Sequence, residues 1–190
     1  KFTGSMAALA VSGPSLLSLL QSCKNETRIN WQPIFLTMDE AAFISKIVDM
    51  ILPRTKTPGA LDVKTDIFID KVYANLYDAD AQEGVRKEIE KFNQDCIADF
   101  GDSFVNLSES GQIKVLQKAE ENSGQFGSGV WGTTVGKPEP VGFYRSLKST
   151  ALWGYFTSQE IGENVLNYDP IPGGYNGCIP LSEVGDKWSL

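Results

Sequence analysis

The chain has 190 residues, 17 basic and 24 acidic, a formal charge of −7, no histidine and three cysteines. That length suits one domain, or a domain behind a targeting segment, and 42% hydrophobic with 11% aromatic residues excludes a chain too polar to bury a core. The missing histidine excludes Ser-His and Cys-His nucleophile pairs and imidazole-ligated metals, and the acidity argues against a nucleic-acid surface, which needs clustered positive charge. Chemistry through carboxylates, Lys or Tyr stays open.

Residues 1–23 read as a signal-like segment. Phe2 to Ser22 carries no charge, and its apolar runs Met6–Val11 and Leu16–Leu20 are broken by Ser, Gly and Pro. A membrane-spanning helix needs about 20 mostly apolar residues, whereas the apolar region of an export signal tolerates such breaks. The run Lys1-Phe-Thr-Gly resembles the residues after the arginine pair of a twin-arginine signal. The chain opens on Lys, so the basic start of that signal is expected upstream of it. Leu20-Gln-Ser-Cys23 looks like a lipoprotein cleavage box, leaving Cys23 either lipidated or an ordinary thiol. The expectation is export to the periplasm, with membrane contact through this segment if Cys23 is acylated.

Residues 24–36 read as a linker, and 37–190 as one helical domain. Thr37-Met-Asp-Glu40 is a capping box. Ile44, Ile47, Val48, Ile51 and Leu52 follow at helical spacing until Pro53. A second helix is predicted from about Thr65, with Ile69, Val72, Tyr73 and Leu76 on one face. A third runs from about Ala81 to Phe100, closed by Gly101, with Val85, Ile89, Phe92, Cys96 and Phe100 in line. A fourth follows Ser108 and carries Ile113, Leu116 and Ala119. A fifth spans roughly Val141 to Phe156 with the stripe Leu147, Ala151, Leu152 and Tyr155. No stretch alternates as a strand would. The fold class is therefore mainly α, a compact domain of about five helices.

From Asn122 onward lie 12 of the 18 glycines, five of the nine prolines and three of the four tryptophans. This Gly/Pro/aromatic-rich irregular end contrasts with Asp80–Glu121, where ten acids face five bases on a solvated helical surface. Gly127-Ser-Gly-Val-Trp-Gly132 matches a dinucleotide fingerprint by letter but lacks the flanking strand and helix, so it reads as a glycine loop. Asp39–Glu40 and Glu88–Glu90 are explained by capping and by an exposed helix face, not by a catalytic carboxylate pair. Arg54, after a helix stop, reads as a structural partner for carbonyls or a carboxylate. Cys96 and Cys178 form either a disulfide, with Cys23 left over, or stay separate with Cys96 as a buried inert thiol.

Three segments together resemble the gluconate 2-dehydrogenase subunit 3 family, the small subunits of bacterial flavin-dependent GMC-type sugar and alcohol dehydrogenases. They are Ile51-Leu-Pro-Arg-Thr-Lys-Thr-Pro-Gly-Ala60, Trp153-Gly-Tyr-Phe-Thr-Ser158 with Glu160-Ile-Gly162, and Tyr168-Asp-Pro-Ile-Pro-Gly173 with Gly177-Cys-Ile-Pro-Leu181. The resemblance covers the chain from about Leu36 onward. It implies a non-catalytic subunit that binds a large flavoprotein and assists its folding and export. FAD then sits in that partner, and haem c or an iron–sulfur cluster in it or in a cytochrome c subunit. No catalytic, cofactor-binding or metal residue is expected here. Interface anchors are typically Trp, Tyr and Arg, so Trp131, Arg145, Trp153, Tyr155, Tyr168 and Tyr175 are the candidates for the partner-facing surface. The competing reading is a stand-alone surface lipoprotein binding carbohydrate through Trp and Tyr.

Overall fold

The computed structural model describes residues 31–126, 129–130, 133–134, 140–168, 173–174, 177–185 and 187. Expectations for Cys23, Trp131 and Tyr175 lie outside them. The chain divides into Lys1–Trp31 and Gln32–Leu190, and every element below belongs to the second unit.

Helix α1 (Met38–Ile51) starts as its sequence dictates. The Thr37 hydroxyl accepts the Glu40 N–H at 3.2 Å, and the Glu40 carboxylate accepts the Thr37 N–H at 2.7 Å. Two of the donors that a helix start leaves without partners are thereby satisfied. Leu52 caps the other end, just before Pro53. Helix α2 spans Thr65–Leu76, and α3 spans Ala79–Phe100. Asp78 caps α3 by accepting the Ala81 N–H, and Gly101 ends it in the left-handed region at φ 86°. A 3₁₀ turn at Phe104–Asn106 leads to α4 (Glu109–Glu121), capped by Ser108. Helix α5 is Phe143–Phe156, and two short helices follow, α6 (Gln159–Asn164) and α7 (Leu181–Val184).

Among the described residues the chain is mainly helical, as expected, with five long helices. The glycine loop differs from expectation, because it contains a minimal antiparallel pair, β1 (Gly129–Val130) with β2 (Thr133–Thr134). Strands of two residues leave no alternation to read. The short α6 and α7 were also not anticipated, being too short to show helical periodicity.

The core lies where α1, α3, the 3₁₀ turn and α5 meet. Phe43 of α1 is buried and sits 5.5 Å from Phe92, 5.7 Å from Phe104 and 6.2 Å from Phe143, centroid to centroid. Two of these pairs are edge-to-face, a geometry that adds about 0.5–1.5 kcal/mol each to the burial term. Ile44, Ile47 and Val48 of α1, Ile69 of α2 and Leu147 and Ala151 of α5 complete a fully enclosed apolar centre.

Two apolar positions expected inside face outward instead, Leu76 at 67% exposure and Ile113 at 44%. On α4 the inner place next to Ile113 belongs to Gln112, whose amide donates to the Phe104 carbonyl at 3.0 Å and so closes the 3₁₀ turn. A buried amide is tolerated because that bond satisfies it. Of the two alternatives for Cys96 and Cys178, the structure shows the buried thiol and not the disulfide. Cys96 is a free thiol buried on the inner face of α3, and Cys178 lies exposed near the chain end.

The body also takes in the end of the segment read as linker. Asp70 of α2, fully buried, accepts N–H bonds from Ile34 (2.7 Å), Phe35 (3.0 Å) and Leu36 (2.9 Å). Arg86 of α3 holds the same turn, its guanidinium 4.4 Å above the Phe35 ring and donating to the Phe35 carbonyl at 2.6 Å. A third link runs from Arg86 to the Glu40 carboxylate at 2.8 Å.

Candidate interaction surface

Residues 52–64 form a tight connection pinned to α5. The Ala60 N–H returns to the Leu52 carbonyl at 2.8 Å, and the Gly59 N–H donates to the Asp62 carboxylate at 2.7 Å. Arg54 pairs with the other oxygen of Asp62, so it serves the structural role its position suggested, toward a carboxylate. The Tyr155 hydroxyl donates to the Pro58 carbonyl at 2.7 Å. The connection ends on Lys64, whose φ of 61° is left-handed, and α2 begins at the next residue.

Helices α2 and α5 then approach closely, because Gly154 has no side chain to hold them apart. A Cβ at Gly154 would stand 2.4 Å from Cδ1 of Phe68. The Phe68 ring instead receives Trp153, edge-on at 5.0 Å and 78°, and Trp153 remains 52% exposed. One turn on, Thr157 caps the Trp153 carbonyl with its N–H and its hydroxyl. Phe156, also exposed, lies under the Lys187 ammonium at 5.3 Å. An ordered helix thus presents a rigid indole and a phenyl ring outward.

Replacing Gly154 by alanine gains up to about 1 kcal/mol of helix propensity but overpacks the α2–α5 contact by about 1–3 kcal/mol. The expected result is a net loss near 1–2 kcal/mol in urea unfolding, with a shifted tryptophan emission as Phe68 moves from Trp153. A variant as stable as the parent with unchanged emission would show that the contact is loose.

The structure separates the remaining sequence candidates. Tyr168 is exposed at 43%, as an anchor requires. Tyr155 is not partner-facing, because at 7% exposure it belongs to the core and its hydroxyl is used by Pro58. Arg145 is turned inward too. Its guanidinium donates to the Glu120 carboxylate at 2.9 Å, and Lys148 takes the other oxygen at the same distance.

The hydrogen bond from Lys148, first, and then the charges of Lys148 and Arg145 hold the Glu120 carboxyl below its usual range, against the opposing effect of burial. A depressed carboxyl stabilises the fold above its ordinary range, and this is lost as pH falls through the depressed value. The clamp is partly solvated, so Glu120→Gln is expected to cost only about 0.5–1 kcal/mol at neutral pH. Urea unfolding over a pH series checks it. The gap between parent and variant should close below the usual glutamate range, and a gap independent of pH would contradict this account.

On another side, a groove of about 420 Å³ opens between α3, α4 and the start of α5. Its floor includes Phe92, Cys96, Val115 and Phe143, and ion pairs Lys91–Asp95 and Lys118–Asp99 stand on its rim. Burial, then the neighbouring Asp95 and Asp99, push the Cys96 thiol up to about 11, so it stays protonated at neutral pH and is a poor nucleophile or ligand. Among the described residues no three His, Cys, Asp or Glu side chains converge to hold a metal, and no helix is long and apolar enough to cross a membrane. Phe68 and Phe156 were missed from sequence. Their signal was an aromatic residue on the flank of the apolar stripe, four residues from Val72 and from Leu152.

The sequence model of the family described as Gluconate 2-dehydrogenase subunit 3 matches residues 38–173, well over half of the chain. No curated protein matches the chain, and neither does any solved structure.

Proposed function

From the chain's membership of the gluconate 2-dehydrogenase subunit 3 family, we propose that it is the non-catalytic small subunit of an exported flavin-dependent sugar or alcohol dehydrogenase. In this reading it binds a large GMC-type flavoprotein, which carries FAD and oxidises the substrate, and it assists that partner's folding and export to the periplasm. Electrons leave through a cytochrome c subunit or another carrier. The observation that carries the reading is the family match over residues 38–173, which includes the proline-glycine connection and the Trp153 segment. The half-exposed Trp153 on a firmly packed helix supports it, since rigid aromatic area held at the surface is what interface anchors provide.

Co-production of the chain with a GMC-type flavoprotein of the same genome, followed by purification through a tag on this chain alone, tests the reading. The expected outcome is a complex with bound-flavin absorbance and substrate-dependent dye reduction, neither of which the isolated chain shows. Omission of this chain should leave the flavoprotein less soluble and not exported. Turnover by the isolated chain, or purification as a stable monomer beside a fully active, exported flavoprotein, would overturn it.

A further inference from the structure

The backbone that leads into α1 is held by carboxylates. Pro33 has no N–H to give, and each of the next four residues gives its own to an acid of the body. Ile34, Phe35 and Leu36 donate to Asp70 of α2, and Thr37 donates to Glu40 of α1. The Phe35 carbonyl in turn accepts from Arg86 of α3.

On the body's side these bonds are made by side chains. Among the described residues, no backbone-to-backbone bond joins residues 32–36 to any helix. The first such bond runs from the Ala41 N–H to the Thr37 carbonyl, inside the start of α1. Leu36 is buried and Ile34 is exposed. Phe35 is half-buried between the Arg86 guanidinium and the Tyr73 ring, whose centroid lies 5.8 Å from its own. Three residues therefore lie on the body as a strap, gripped by one carboxylate, one guanidinium and the socket of Leu36.

What lies around the strap does not depend on it. The capping box closes within residues 37–40, so α1 keeps its start when residues 34–36 lift away. Arg86 stays paired with Glu40 at 2.8 Å, a contact that uses no strap residue. Lifting the strap lets water replace the three N–H groups on Asp70, so the carboxylate is not left buried and bare. The Phe43 ring cluster is untouched. Opening thus loses a few charge-assisted bonds and one buried side chain, and regains the chain freedom of three residues. It costs less than unfolding the body.

We propose that Ile34–Leu36 is a releasable strap, which opens about Thr37 as its own unit while the helical body stays folded. Closed, it fixes the point at which chain arriving from residue 33 meets the body. Open, it adds three residues of free chain and uncovers Asp70 and Tyr73. Such a strap is independent of the small-subunit reading and survives or fails apart from it.

Native-state hydrogen exchange of the full chain, read by NMR at rising urea below the unfolding transition, tests the strap. The amides of Phe35 and Leu36 are expected to be protected about 100- to 10,000-fold. That protection should barely change with urea, because opening exposes little surface. The amides of Ile47 and Val48 in α1 should be protected more strongly and lose protection steeply with urea, as global unfolding requires. Arg86→Met removes the donor to the Phe35 carbonyl and the charge above its ring. It should cut the protection of Phe35 and Leu36 about tenfold. Exchange of Phe35 and Leu36 with the protection and urea slope of Ile47 and Val48 overturns the proposal, since the strap then opens only with the body. Unprotected amides at Phe35 and Leu36 overturn it equally, and unchanged protection in Arg86→Met overturns the grip by side chains. The slopes of the parent chain decide the matter even if Arg86→Met does not fold.

Discussion

Replacing Asp70 by alanine is expected to cost about 3–5 kcal/mol, a large share of the 5–15 kcal/mol by which domains of this kind are stable. The carboxylate is fully buried and takes three consecutive backbone N–H groups, from Ile34, Phe35 and Leu36. Alanine leaves those donors without a partner, and each buried orphan costs about 1–3 kcal/mol. Ile34 is exposed and regains water, so the total falls short of three full penalties. The loss spreads further, because Phe35 is the platform on which the Arg86 guanidinium lies. Asp70→Asn keeps the shape, and its amide oxygen can still accept from Phe35 and Leu36 while its NH2 group faces the Ile34 N–H, so it should fall between parent and alanine. Urea unfolding with a tryptophan or circular-dichroism signal reads all three, and a cost below about 1 kcal/mol for Asp70→Ala would mean that the turn at residues 34–36 is held by something else.

Gly59→Ala is the second large effect, expected at about 2–4 kcal/mol. A Cβ there would stand 2.6 Å from the Arg54 nitrogen and 3.0 Å from the Pro53 carbonyl carbon. Both are backbone atoms within a connection closed by the Ala60–Leu52 bond, so no side chain can swing aside. Relief must come from moving the loop, which pulls the Pro58 carbonyl off the Tyr155 hydroxyl. A double-mutant cycle with Tyr155→Phe checks the route of the damage. Tyr155→Phe alone should cost about 1 kcal/mol, and clearly less in the Gly59→Ala background, whereas additive losses would place the strain elsewhere.

The helices were legible because their signals are local. Thr37 and Glu40 lie three residues apart, so the capping box can be read without knowing the fold, and both its bonds are present. Gly101 marks the end of α3 for the same reason, a left-handed residue required at one place in the chain. Asp70 was not legible. Its partners are 34 to 36 residues away, and their donors are backbone groups that every sequence possesses. Gln112 and Ile113 changed places for a related reason, since a buried glutamine is made favourable by the carbonyls of Phe104 and Val105, which the helix pattern does not show. The aromatic surface was half legible. Leu147, Ala151 and Tyr155 recur every four residues, a spacing that already puts Tyr155 inside and turns its neighbour Trp153 outward. Compositional enrichment in tyrosine and tryptophan cannot make that distinction, because it carries no direction.

The ring cluster around Phe43 also has a dynamic consequence. A phenyl ring enclosed by Phe92, Phe104 and Phe143 at 5.5–6.2 Å cannot turn over within its own van der Waals envelope. A half-rotation of that ring requires α1, α3, the 3₁₀ turn and α5 to separate transiently and together, in an interior packed as densely as a crystal. The flip rate of Phe43 is therefore a clock for the collective breathing of the whole helical body, on the microsecond-to-millisecond scale of such motions. Resolved or broadened aromatic resonances from the two sides of that one ring report how rigid a platform the body offers.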